Sequence, residues 1–93
     1  MDREALEQAL IARHGAENQK KFAAASVGIA GLGGLGSHIA VHLARLGVGR
    51  LVLADFDRVD VTNLHRQHYF IPHLGRYKTE ALAEQLRGIN PWL

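Results

Sequence analysis

The 93-residue chain is long enough for one domain and no more. Apolar residues make up 47%, which permits a globular core and argues against disorder, and no apolar run approaches membrane-spanning length. A formal charge of +2 from dispersed basic residues gives no argument for a nucleic-acid partner, and the lack of cysteine excludes disulfides, a thiol nucleophile and a cysteine zinc site, as suits a cytoplasmic protein.

The predicted elements run in the following order. Asp2 caps a helix over residues 3 to 14, with Gly15 as its stop and Leu6, Leu10 and Ala9 on its apolar face. This amphipathic start, carrying Glu4 and Glu7, is not a signal peptide. Glu17 to Ala25 forms a short second helix or a connector. Ser26 to Ala30 is the first strand. Gly34 to Leu46 is a helix with Ile39, Leu43 and Leu46 facing inward, Ala40 and Ala44 allowing close approach, and Gly47 ending it. Arg50 to Asp55 is the second strand. Phe56 to Leu74 is a long loop, a length that inside a compact domain usually signals function. Gly75 to Ile89 is the last helix, with Leu82, Leu86 and Ile89 inward, ended by Asn90-Pro91.

Both strands are apolar without alternation, the pattern of parallel strands covered on two faces. The order strand, helix, strand, helix makes the fold class α/β, a Rossmann-like parallel sheet with flanking helices. Such a fold places a third strand beside the second and a fourth beside the first. Neither remains before Leu93. Residues 1–25 are thus expected to be an N-terminal helical segment, and 26–93 the first βαβα portion of a larger nucleotide-binding domain.

The chemistry starts at Gly31-Leu32-Gly33-Gly34-Leu35-Gly36, between the first strand and the first long helix. In this motif Gly31 permits the tight turn, Gly33 lets the backbone approach a phosphate, and Gly36 lets the helix pack closely on the strand. The helix N-terminus then offers N–H groups and a favourable dipole to an anion. Asp55 ends the second strand about 20 residues on, where a carboxylate accepts bonds from ribose hydroxyls. That suits NAD, FAD and ATP equally; the alternative is an aspartate capping its own loop. Asn63, Arg66 and Lys78 narrow the choice. A redox dinucleotide needs no cation here, whereas a triphosphate does, and Arg66 offers a planar fork while Lys78 offers a point charge. The alternatives are a surface salt bridge for Arg66 and an exposed helix position for Lys78.

The motifs Gly31-Leu32-Gly33-Gly34-Leu35-Gly36-Ser37, Leu46-Gly47-Val48-Gly49, Asp55-Phe56-Asp57, Asn63-Leu64-His65-Arg66-Gln67 and Ile89-Asn90-Pro91 closely resemble the ThiF/MoeB/HesA family, bacterial relatives of the ubiquitin-activating enzymes. The resemblance runs from about Ser26 to the end, and the segment before it is most similar to the short ThiF branch. It implies adenylation of the C-terminal carboxylate of a ubiquitin-like sulfur carrier ending in Gly-Gly, with ATP and Mg2+, by a homodimer. It also implies that Gly34 and its neighbours cradle phosphate, that Asp55 holds ribose, and that Asn63, Arg66 and Lys78 surround the outer phosphates. The family's magnesium-binding aspartate belongs after a later strand, so the chain alone is expected to be inactive. The catalytic and zinc cysteines of longer relatives are missing, and Arg13 sits at the wrong spacing to stand for the arginine a partner subunit lends.

Two rivals stand beside this reading: an NAD-dependent oxidoreductase domain, which leaves Asn63, Arg66 and Lys78 unexplained, and a non-catalytic carrier-binding or dimerisation module. Among the histidines, His38 and His42 share a helix face but are too few for a tight metal site. His65 lies inside the phosphate motif, while His68 and His73 are loop residues. Trp92 and Tyr77 are read as packing residues.

Overall fold

The computed structural model describes residues 1–93. Helix α1 spans Arg3–His14 and α2 spans Ala16–Ala24. Strand β1 is Ser26–Ala30, α3 is Gly34–Leu46, β2 is Arg50–Ala54 and α4 is Lys78–Ile89. The boundaries of α1 follow from its caps. The Asp2 carboxylate accepts from the Ala5 N–H at 2.7 Å, and Gly15 turns the chain at a φ of 88°. Leu10 is buried and Leu6 half-buried, but Ala9 lies on the exposed face.

The two strands pair in parallel, Ser26 opposite Arg50 through Ala30 opposite Ala54. Their side chains alternate. Val27, Ile29, Leu51 and Leu53 join the core, whereas Gly28, Ala30, Val52 and Ala54 face outward and are exposed. The expectation of two covered faces is therefore corrected. Both α3 and α4 pack on one face, where Ala40, Val41, Ala44, Ala81, Leu82 and Leu86 meet the strands.

The inward face of α3 also differs from expectation. Ser37, Ala40, Val41 and Ala44 are buried, Leu43 and Leu46 are half-buried, and Ile39 is exposed. The close approach of α3 to β1 explains the choice, because a side chain at Gly36 would place its Cβ 1.8 Å from the Gly31 carbonyl oxygen. Small residues go where backbones nearly touch, and larger ones are turned aside.

At the other end of the sheet, α1 and α2 close on the α3–β2 turn. Gly47 takes a φ of 88°, and a Cβ there would meet Leu10 Cδ1 at 2.8 Å. A Cβ at Gly49 would meet the Ala23 carbonyl oxygen at 1.9 Å. Trp92 is half-buried against this junction and lines a cavity of about 180 Å3 with Arg3, Leu10 and Gln19, far along the sheet from the glycine loop.

The connection from β2 to α4 is not structureless. It holds short 3-10 turns at Val61–Asn63 and Ile71–His73, and an antiparallel bridge between Arg58 and Tyr77. Helix α4 starts at Lys78, three residues later than expected. Gly75 takes a φ of 82°, and the Tyr77 backbone is extended to pair with Arg58. Tyr77 is 41% exposed, with the Arg58 guanidinium 4.1 Å from its ring centroid, so it serves as a cation–π platform and not as core packing.

Candidate functional site

The parallel pairing brings the ends of β1 and β2 together, so the glycine loop and Asp55 meet at the carboxyl edge of the sheet, the position where open α/β folds bind ligands. Gly31 takes a φ of 89° and its N–H donates to the Ala54 carbonyl at 2.8 Å. Leu32 then points into the core with no exposed surface. Its N–H donates to Asp55 Oδ2 at 2.7 Å, while the Asp57 N–H donates to Asp55 Oδ1, also at 2.7 Å. The Asp55 carboxylate thus fastens the glycine loop to the end of β2. Each oxygen keeps a second lone pair, so this capping leaves acceptor capacity at the edge of the site.

The loop carbonyls are held as firmly. The Ser37 hydroxyl donates to the Gly33 carbonyl at 2.6 Å and accepts from the His68 N–H at 3.0 Å. The Tyr69 hydroxyl donates to the Leu32 carbonyl at 2.7 Å. Tyr69 is buried, and burial pushes its phenol well above the ordinary value, with the Asp55 charge acting in the same direction. It therefore stays protonated, as a donor.

The crossover segment lays its polar residues across the start of α3. Asn63 is 9% exposed and accepts from the Asp60 N–H through Oδ1 at 2.9 Å, which leaves its amide nitrogen as a donor. Asp60 in turn accepts from the backbone and the hydroxyl of Thr62, and these bonds hold its carboxyl below the usual range. Arg66 is exposed and makes no ion pair. A Cβ at Gly34 would stand 3.9 Å from Arg66 Nη1, so the guanidinium overhangs the first residue of α3. Gln67 is 7% exposed, its Oε1 has no partner, and its Nε2 would lie 3.6 Å from a Cβ at Gly33.

Lys78 opens α4. Its N–H donates to the Asp57 carbonyl at 3.0 Å, so the chain of bonds from Leu32 through Asp55 and Asp57 reaches the first turn of α4. The residue is only 5% exposed, and no carboxylate lies within ion-pair distance of it. The arrangement places the Arg66 guanidinium and the Gln67 amide at the N-terminus of α3, while Asn63 lies in the crossover segment and Lys78 opens the next helix.

Three residues here carried no assigned role in the sequence. Ser37 and Gln67 lay inside recognised motifs, and burial is what reveals them. Tyr69 had no signal, since a tyrosine in a loop does not announce a hydrogen bond to a carbonyl 37 residues away. The remaining histidines take local parts. His68 Nδ1 is 2.7 Å from Gln85 Oε1, the Gln85 amide donates to the His68 carbonyl, and the buried His73 accepts from the Phe70 N–H through Nδ1. His38 Nε2 lies 3.3 Å from the Arg66 carbonyl, while His42 and His65 are exposed. No three His, Asp or Glu side chains come together as a metal would need.

The comparisons with known proteins bear on this geometry. The Ubiquitin-like modifier-activating enzyme 5 of Oryza sativa is 40% identical over 75 residues, covering 81% of this chain and 18% of that protein. The Adenylyltransferase and sulfurtransferase MOCS3-1 of Zea mays is 42% identical over 82 residues, covering 87% and 18%. The Escherichia coli tRNA N6-threonylcarbamoyladenosine dehydratase, solved in complex with ATP, superposes with a TM-score of 0.89 at 37% identity, over 95% of this chain and 37% of that one. The chain thus spans less than two-fifths of each of these proteins. The ThiF family model matches residues 6–93, nearly the whole chain, and the chain belongs to the ThiF family.

Proposed function

We propose that this chain supplies the ATP-binding part of an adenylyltransferase that activates the C-terminal carboxylate of a ubiquitin-like sulfur carrier in the cytoplasm. The single observation that carries the reading is the Arg66 guanidinium, free of any ion pair, over the N-terminus of α3, taken with Lys78, largely buried and outside every ion pair, at the start of α4. A redox dinucleotide gives these two cations no task, and the outer phosphates of ATP do. The relatives' names, an adenylyltransferase and a ubiquitin-like modifier-activating enzyme among them, support the same class.

In this reaction a carboxylate oxygen of the carrier forms a bond to the α-phosphorus, and the bond from that phosphorus to the bridging oxygen breaks. Its electron pair leaves on pyrophosphate, giving an acyl adenylate. The carrier brings its own nucleophile, so the chain's part is positioning and neutralisation of charge. The glycine-loop N–H groups approach phosphate oxygens. Asn63 offers its amide nitrogen, and Asp55 offers its remaining lone pairs to ribose. Arg66 and Lys78 stabilise the charge that builds on the departing pyrophosphate. The Mg2+ implied by the resemblance finds no ligand set here, because Asp55 holds two backbone N–H groups and no cluster of carboxylates stands beside it.

The test is thermal protection. A ligand bound only to the folded state raises stability by RT ln(1 + [L]/Kd). ATP at millimolar concentration should raise the melting temperature of this chain, and NAD at the same concentration should not. Protection by NAD alone would replace the reading with the oxidoreductase one.

A further inference from the structure

The Tyr69 hydroxyl stands out among the groups the mechanism leaves unused. The ring is 4% exposed, and any large apolar side chain would fill its place; only the hydroxyl calls for a separate reason. It reaches out of the crossover segment to the Leu32 carbonyl, in the middle of the glycine loop. The same segment carries Asn63 and Arg66. Between them and Tyr69 the backbone is tightly wound: the Gln67 N–H donates to the Asn63 carbonyl at 2.8 Å, and the Tyr69 N–H donates to the Gln67 carbonyl at 2.9 Å. A shift at Tyr69 is therefore passed to Arg66 within one turn.

We propose that Tyr69 is a positioning residue, whose bond to the Leu32 carbonyl sets the register between the glycine loop and the segment bearing Arg66 and so aims the guanidinium at the triphosphate. The proposal rests on the nucleotide reading above. The segment is tied at other points as well, by the His68 N–H on Ser37 and by the paired bonds of His68 with Gln85 on α4. Loss of the Tyr69 hydroxyl alone leaves those ties and the ring packing in place. The fold is then kept while the register between loop and guanidinium relaxes. A bond that merely stabilises the core would act on every ligand alike. A bond that aims Arg66 acts on the outer phosphates, and only while Arg66 is present.

A double-mutant cycle separates these cases. Wild type, Tyr69→Phe, Arg66→Ala and the double variant are titrated calorimetrically with ATP and with AMP, and their circular dichroism melts are recorded. Leaving a buried carbonyl unpaired and the guanidinium misplaced should weaken ATP binding by about tenfold in Tyr69→Phe, with AMP changed by less than about threefold. In the Arg66→Ala background, the same substitution should change ATP affinity by less than about twofold. Equal losses for ATP and AMP, or full additivity with Arg66→Ala, would make the bond purely structural and overturn the proposal. So would loss of the folded melt in Tyr69→Phe. Failure of the wild type to bind ATP overturns the nucleotide reading itself. Wild-type binding that is insensitive to Arg66→Ala overturns the role of Arg66, and in either case this inference goes with it.

Discussion

At Lys78 the apolar stem and the charge can be tested apart. The residue is 5% exposed and its amino group has no carboxylate partner, so the charge contributes little to the folded state. Replacement by methionine keeps the stem and removes the charge. Lys78→Met should therefore melt at or above the wild-type temperature without nucleotide, and bind ATP at least about tenfold more weakly, the scale of one charge-assisted hydrogen bond. A variant that is destabilised yet binds ATP normally would make Lys78 a structural residue. Asp55 is the contrasting case. Its two oxygens hold the Leu32 and Asp57 N–H groups at 2.7 Å, so its removal would damage the loop before it touched any ligand. The capping alternative and the ribose alternative for Asp55 are thus not exclusive: one carboxylate shapes the loop and still faces the site.

Among the elements, the glycines of this chain divide into two groups by what surrounds them. A Cβ at Gly36 would overlap the Gly31 carbonyl oxygen at 1.8 Å, and this contact lies between backbones that cannot yield separately. Gly88, in α4, has nothing within 4 Å. Gly36→Ala should cost about 3 kcal/mol or more, as overpacking against backbone does. Gly88→Ala should instead gain about 0.5–1 kcal/mol from helix propensity. Urea melts of the two variants check both signs, and a tolerated Gly36→Ala would mean that α3 can slide on β1. The same distinction explains what the sequence made legible. The spans of α1, β1 and α3 were readable because caps and glycines sit at their ends: Asp2, Gly15, the glycine loop and Gly47. The loop's geometry was readable because its glycine spacing follows from close approach. The start of α4 was not, since Gly75 reads equally as helix start or as turn until Tyr77 is seen to pair with Arg58. Nor was the inward face of α3. Ile39, Ala40, Val41, Leu43, Ala44 and Leu46 surround that helix, and hydropathy cannot choose among them. The choice is made by the backbone contact at Gly36. The bonds of Tyr69 and Ser37 to the glycine loop escaped for a related reason. They join residues far apart in sequence, and no spacing rule encodes them.

For the whole molecule, the decisive feature is what the two-stranded sheet leaves uncovered. Only 20 of 93 residues are buried, so the core is thin for the entropy that folding must overcome. Each strand has one neighbour and one open edge. The outward face presents Ser26, Gly28, Ala30, Val52 and Ala54, with Val52 48% exposed, and its one charge, Arg50, stands at the start of β2 and away from the middle of the face. Natural sheets guard such edges with charge, proline or a bulge, and here a single arginine at one end of the face is all there is. The 93-residue chain in solution should therefore associate with itself through that face and those edges. Sedimentation across a hundredfold range of concentration should show a mass that rises above that of the monomer. Val52→Lys places a charge at the centre of the exposed face without touching the core, the glycine loop or Arg66. It should shift the distribution toward monomer while leaving ATP protection in place, because the site lies at the carboxyl edge and the face does not contribute to it. A chain that stays monomeric throughout the range would show that two parallel strands and one layer of helices suffice. A Val52→Lys variant that lost nucleotide protection together with association would mean instead that the site is completed only between copies.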